Sequence, residues 1–243
     1  VRNPVGQEIT YRETVHHHIV SSLTNLRTLA DHRREILHDF LRDRREAVAS
    51  QTAGVETFLL PPAADRARWT ALVDLLRRQG IDVTFATEAF QAFNVTDLWG
   101  RQHESRKFPT GTLVVRTNQP RRRILQALCD FDPHLTESFL LEERKELESH
   151  RGTLLYDATS WNLPMGFGLD ACWAKAVGEL DVSDRMPDVQ KVNTSEGRYG
   201  YLVDFQSSDA YQVLVRLLEG GCHPRVASKP FRIGDTTFAR GTI

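Results

Sequence analysis

Glu56-Thr57-Phe58-Leu59-Leu60, then Asp65 to Gln79, then Ile81-Asp82-Val83-Thr84-Phe85 is the stretch on which the reading of the fold turns. The first five residues are an apolar run stopped by Pro61-Pro62, the signature of a strand. The middle piece places Trp69, Leu72, Val73, Leu75 and Leu76 at helical spacing. Asp65 is its N-terminal cap and Gly80 its C-terminal stop. The third piece alternates with period two, which is a second strand. A strand–helix–strand unit predicts a right-handed parallel crossover. Thr112-Leu113-Val114-Val115 adds another strand.

Working outward, the unit recurs. Leu72-Val73-Asp74-Leu75-Leu76 matches Leu214-Val215-Arg216-Leu217-Leu218, with Trp69 against Tyr211 and Phe58–Leu60 against Gly200–Leu202. Both helices stop in glycine, at Gly80 and at Gly220-Gly221. Short strands follow, Ile81–Phe85 and Cys222–Val226, if the second copy is one residue shorter. Phe108-Pro109-Thr110-Gly111-Thr112 matches Phe238-Ala239-Arg240-Gly241-Thr242. The first leads into Leu113-Val114-Val115 and the second into Ile243 alone, which predicts a final strand cut short. Convergence among strand–helix–strand units is the rival explanation. The repeat, over 52–119 and 198–243, predicts an α/β domain: a mixed or mainly parallel sheet with flanking helices, built from two β-α-β repeats.

Before this domain, Tyr11 to Ala49 predicts a long N-terminal helix. Val15, Ile19, Leu23, Leu26, Ala30, Leu37, Phe40 and Leu41 fall on one face and charges fill the rest. Unbroken, it would run about 58 Å at 1.5 Å per residue. Such a helix bends into a hairpin, pairs with another chain, or packs on a neighbouring domain. The expected division is therefore a helical segment at 1–51 and an α/β domain at 52–243. Between the repeats, helices are expected at Arg121–Cys129 and Thr136–Ser149, and a short strand at Thr153–Tyr156. The polar run from Val182 to Arg198 is expected to be a surface linker.

The chain has 243 residues with 31 Lys+Arg, 32 Asp+Glu and 40% hydrophobic residues. These figures exclude a disordered chain. Balanced charge without a basic stripe argues against a nucleic-acid partner, and the lack of a run of about 18 apolar residues against a membrane-spanning helix. Arginine outnumbers lysine 26 to 5, a hint of a GC-rich genome. The chain opens on Val1 with no signal peptide and closes inside a recurring motif, so a piece of a longer protein is expected.

Three chemistries can be weighed on the residues. Glu13-x-x-His16 and Glu35-x-x-His38 have the spacing of carboxylate–imidazole metal pairs. They lie about 33 Å apart on a straight helix, so a solvated face is the expected reading and no metal ligand is assigned. Cys129, Cys172 and Cys222 form no CxxC pair. Cys222-His223 would point to opposite faces of a strand, so neither cysteine nor serine chemistry has a recognisable elbow and no catalytic residue is assigned. The loop Asp157 to Gly168 is rich in turn residues. Asp157, Trp161 and Asn162 are the candidate ligand-binding residues, with Trp161 as a stacking wall; an ordered turn pinned by Trp161, Leu163 and Met165 is the bland alternative.

Phe108-Pro109-Thr110-Gly111-Thr112-Leu113-Val114-Val115, Asn118-Gln119-Pro120, and Tyr156-Asp157 through Trp161-Asn162-Leu163-Pro164 to Gly166 resemble a region of bacterial zinc carboxypeptidase-like (carboxypeptidase A-type) metallopeptidases. That region lies downstream of the peptidase domain. Tyr11-Arg12-Glu13-Thr14-Val15 and Ala30-Asp31-His32-Arg33 resemble the stretch where the peptidase domain ends. The resemblance implies a parent hydrolase that removes C-terminal residues from peptides, with zinc in its own peptidase domain and none in this chain. The zinc motif has no counterpart here, so this chain is expected to be an accessory region, structural or binding. Implied partners are the parent's peptidase domain, a peptide, or a second copy through the N-terminal helix. A secreted or periplasmic setting is implied too. The alternative is an amidotransferase-like α/β module that binds a small molecule or peptide without catalysis.

Overall fold

The computed structural model describes residues 6, 8, 10–49, 56–132, 135–155, 162–187, 197 and 199–243. The chain divides into two units, residues 1–49 and 50–243.

The first unit is helical: α1 (Tyr11–Asp31) and α2 (Arg33–Ala49). Thr10 and Glu13 form a capping box at its start. No hairpin forms. His32 alone leaves helical geometry, at φ −104° and ψ 15°, while its N–H still donates to the Thr28 carbonyl (2.9 Å) and its carbonyl accepts from Ile36 N–H (3.0 Å). Beside this break the Arg33 guanidinium donates to the Ala30 carbonyl at 2.8 Å. Ile19, Leu23, Leu26, Leu37, Phe40 and Leu41 are each 50–62% exposed.

The second unit is built on a seven-stranded sheet, and here the expectation of a mainly parallel sheet is overturned. The strands are β1 (Thr57–Leu60), β2 (Thr84–Ala86), β3 (Phe90–Asp97), β4 (Gln102–Phe108), β5 (Leu113–Arg116), β6 (Cys172–Val177) and β7 (Val182–Ser183), in the order β4-β3-β6-β1-β5-β2-β7. Every neighbouring pair is antiparallel. The crossover helix α3 (Arg66–Arg78) does join two strands of like direction, but β5 is inserted between them. Neighbouring parallel β-α-β repeats therefore do not form, and the support that an α/β sheet lent to an amidotransferase-like module goes with them.

Connection lengths force this sheet to coil. Only Thr87, Glu88 and Ala89 join β2 to β3, which stand four places apart in the sheet. Four spacings of about 4.8 Å make ~19 Å in a flat sheet, whereas four residue steps reach at most about 14 Å. The β3–β4 hairpin consequently folds back over the sheet. Phe90, Ala92, Val95 and Phe108 share one buried cluster with Leu59, Ala86, Val114, Cys172 and Ala174. Asn94, in left-handed backbone at φ 50°, reverses the side-chain alternation so that Val95 joins Ala92 on the inner face.

The other face carries the larger core. Trp69, Leu72, Val73 and Leu76 of α3 pack on Phe58, Leu60, Phe85, Leu113 and Val115. Leu125 and Cys129 of α4 (Arg122–Cys129) complete it, with Leu163 from α6 (Leu163–Gly166) at its margin. Outside the sheet lie α5 (Glu137–Glu148), α7 (Asp209–Glu219) and the hairpin β8 (Phe231–Ile233)–β9 (Thr236–Phe238).

The first half of the expected strand Ile81–Phe85, whose second half is in β2, and the start of the one expected at Thr153–Tyr156 are held by side-chain pairing instead. Residues 81–83 have no strand partner because the Gln119 carboxamide takes that place. Its oxygen accepts from Asp82 N–H at 2.8 Å, and its nitrogen donates to the carbonyls of Asp82 (3.2 Å) and Arg116 (2.8 Å). Thr153 and Leu154 form no strand because they donate to the buried Glu143 carboxylate. Gln119 is 6% exposed, so Gln119→Leu should lower unfolding stability by about 2–3 kcal/mol through orphaned backbone groups. Urea unfolding of the variant checks this.

Candidate functional site

A cleft of the second unit lies where the end of α4 meets three strands. Glu56 precedes β1 and is anchored through its carbonyl, which accepts from Thr117 N–H at 3.1 Å. Thr96 and Trp173 stand opposite one another across β3 and β6. Gln126, Asp130, Phe131 and Asp132 come from α4 and the turn after it. Together these seven residues line a cleft of about 370 Å³.

The aromatic wall is fixed from behind. The Trp173 indole N–H donates to the Cys129 carbonyl at 2.9 Å, tying β6 to the last turn of α4. Its ring meets Phe58 edge-on at 5.3 Å, and Phe58 meets Phe131 edge-on at 6.4 Å. The acidic rim has a local cause: Asp130 Oδ1 accepts from Asp132 N–H at 3.0 Å, a turn that brings two carboxyl groups to the helix end. A helix C-terminus carries partial negative charge. Carboxylates, helix end and aromatic faces all favour a cation, of the size of a guanidinium or ammonium group.

A second polar group lies on the opposite face of the sheet. Arg106 of β4 donates to Cys172 Sγ at 2.9 Å and to the Asp170 carboxylate. Asp97, which pairs with Cys172 in the ladder, accepts from His103 Nε2 (3.1 Å), Trp99 N–H (2.9 Å) and Arg101 N–H (2.9 Å). Burial pushes the Asp97 carboxyl up, but the bonds from His103 and the two backbone N–H groups outweigh it and leave it below the ordinary carboxylate range. Burial pushes the Cys172 thiol up to about 11 despite the nearby Arg106 charge, with Asp170 and Asp97 adding to the rise. Burial alone pushes Cys129 up to about 12. Both thiols are therefore protonated at neutral pH and poor nucleophiles.

Of the residues singled out in the sequence, Asp157 and Trp161 lie outside the described residues. Asn162 is 5% exposed and caps α6, its Oδ1 accepting from Met165 N–H at 3.0 Å. Glu13 is committed to Thr10, whose backbone N–H bond is the main cause of its lowered pKa. Glu35 faces His32 Nδ1 at 3.0 Å. Among the described residues no three or more His, Cys, Asp or Glu side chains are grouped so as to hold a metal ion. Cys222 is exposed and lies in no strand. Sequence reading missed the cleft. Its one local signal is Asp130-Phe131-Asp132 directly after a helix end.

No family model matches the chain, and neither a curated protein nor a solved structure matches it.

Two outcomes follow from the buried groups. In the folded protein at pH 8 a maleimide should modify Cys222 rapidly, while Cys129 and Cys172 react only after denaturant is added; peptide mass mapping reads this. Asp97 has a depressed folded pKa, so its contribution to stability is present above the unfolded carboxyl pKa and is lost as pH falls through the folded one. Melting temperatures measured from pH 5 down to pH 2 should therefore drop less steeply for Asp97→Asn than for the parent sequence, from a lower starting value.

Proposed function

We propose that this chain is a non-catalytic accessory region of a zinc carboxypeptidase-like protein, whose sheet domain binds a peptide through a basic side chain. The observation that carries the binding reading is the cleft at Trp173, where two aromatic rings, three carboxyl groups and a helix C-terminus surround one space. A guanidinium or ammonium group laid on Trp173 or Phe131 gains cation–π attraction of roughly 0.5–2 kcal/mol, with Glu56, Asp130 and Asp132 as counter-charges. The protonated state of Cys129 and Cys172 supports binding without covalent turnover. The motif around Asn162-Leu163-Pro164 and the stretch Phe108–Val115 support the family reading by resemblance. In that setting the amphipathic face of α1 and α2 is the surface on which the parent's peptidase domain packs.

Calorimetry with an arginine-containing peptide and its citrulline analogue tests the binding reading. The arginine peptide should bind at least tenfold more tightly, and Asp130→Asn and Phe131→Ala should each remove most of that difference while circular dichroism stays unchanged. Equal affinity for both peptides, or full binding by both variants, would sink it. Incubation with zinc and a peptide bearing a free C-terminus should release no amino acid, and release absent from a C-terminally blocked peptide would reject the non-catalytic role.

A further inference from the structure

Residues 200–243 reproduce, bond for bond, the framework on which residues 57–113 are built. In the first copy Ala86 N–H donates to the Thr112 carbonyl (2.9 Å) and Gly111 N–H to the Ala86 carbonyl (2.8 Å). In the second, Ala227 N–H donates to Thr242 (2.9 Å) and Gly241 N–H to Ala227 (2.9 Å). Thr112 Oγ1 donates to the Pro109 carbonyl at 2.7 Å, and Thr242 Oγ1 to the Ala239 carbonyl at 2.9 Å. Behind the helices, Ile81 N–H donates to Leu76 and Cys222 N–H to Leu217. The chain turns at Gly80 (φ 72°) and Gly221 (φ 75°), a left-handed conformation that costs glycine nothing. Phe90 stacks on its cross-strand partner Phe108 at 5.4 Å, as Phe231 stacks on Phe238 at 5.2 Å. The helix N-caps of the two copies, Asp65 and Ser208, hydrogen-bond each other at 2.5 Å.

The correspondence also resets the register read from sequence. The first strand aligns Leu60 with Val203, because Leu60 pairs with Leu113 and Val203 exchanges both backbone bonds with Ile243 (2.7 and 3.0 Å). The helix end aligns Leu76 with Leu217. The difference is two residues, and α7 is two residues shorter than α3: 11 against 13. The Leu-Val-x-Leu-Leu match is thus one residue out of structural register.

One difference separates the copies. In the first, β5 runs on from Leu113 past Leu59, Phe58 and Thr57, and with α3 it seals the core: Leu72, Val73 and Leu76 are fully buried. In the second, the ladder stops at the Val203–Ile243 pair. The counterparts are less covered: Tyr201 is 69% exposed where Phe58 is fully buried, Val213 is 38% exposed where Leu72 is fully buried, and Val226 is 62% exposed where Phe85 is buried, while Leu214 and Leu217, matching Val73 and Leu76, are half-buried; on the other face of the strand Leu202 is 46% exposed where Leu59 is fully buried. Cys222 is exposed where Ile81 is 3% exposed.

We propose that this face is a strand-acceptor surface. Its occupant is an extended apolar polypeptide strand of the chemistry of Leu113-Val114-Val115, laid antiparallel to residues 200–202 so as to continue the Val203–Ile243 ladder. The first copy supplies the template: the added strand lies beside Gly200, Tyr201 and Leu202 as β5 lies beside β1, exchanges backbone bonds with Tyr201, and turns alternate side chains toward Val213, Leu214 and Leu217 of α7. This proposal is independent of the peptide cleft at Trp173.

The test delivers the strand directly. The full chain is extended after Ile243 by Val-Val-Arg-Thr, copied from residues 114–117, and compared with a Gly-Ser-Gly-Ser extension of equal length. The β-forming extension should raise the melting temperature by several degrees and slow amide exchange of Tyr201, the next donor on that edge, at least tenfold. Equal melting and equal exchange for the two extensions would overturn the proposal. A second control separates occupants: if the unextended chain already shows concentration-dependent protection of the Tyr201 amide, the face takes a second copy of itself and the proposal fails. Tyr201→Pro, which removes the backbone donor that faces the added strand on the edge where Val203 meets Ile243, should abolish the gain from the β-forming extension without changing the melting of the Gly-Ser form by more than a degree or two.

Discussion

Three residues must carry the chain from β2 to β3, and they are too few to cross a flat sheet. That shortage of reach governs the second unit. It obliges the sheet to coil and turns the β3–β4 hairpin over the inner face. It also explains how Leu59, Ala92, Val95, Cys172 and Ala174 are fully buried in a cluster made only of sheet and hairpin residues. A helix layer is needed on one face alone, and α3, α4 and α6 supply it. Coiling also brings Arg106, Asp170, Asp97 and His103 to the inner face beside Cys172, where Arg106 pairs with Asp170 and Asp97 accepts a hydrogen bond from His103.

The same geometry separates the two polar regions. Thr96 and Trp173 project to the helix-covered face, and their chain neighbours Asp97 and Cys172 to the inner one, because successive side chains in a strand alternate. The outer region is an open cleft with an aromatic wall and an acidic rim. The inner region is internally paired, with a thiol kept protonated by burial. The proposed recognition draws on the first by its chemistry, and the second ties the coiled sheet together.

Much of the framework was legible in the sequence for local reasons. Helix α3 announces itself by Trp69, Leu72, Val73 and Leu76 between Asp65 and Gly80. Strands β1 and β5 are apolar on both faces and read as buried runs. Strand direction was not legible. The helical crossover implied parallel neighbours, and only the insertion of β5, a contact between distant residues, makes the sheet antiparallel. The β3–β4 hairpin was hidden because Asn94 breaks the alternation halfway along β3, and because Gln102-His103-Glu104-Ser105-Arg106-Lys107 is polar throughout. Residues 81–83 look like strand, but a glutamine side chain 37 positions on satisfies their backbone. The cleft was hidden because Glu56, Asp130 and Trp173 are remote in sequence and each is unremarkable alone. The duplication was visible as a pattern, yet its register emerged only from hydrogen bonds, since a helix shortened by two residues displaces the apolar match.

Backbone nuclear Overhauser effects are the most direct test of the coiled antiparallel sheet. The account predicts cross-strand contacts from residues 57–60 to both 113–116 and 172–174, with Phe108 ring contacts to Val114 or Leu59 methyls. Contacts joining 57–60 directly to 84–86 in parallel register, with none to 113–116, would contradict it.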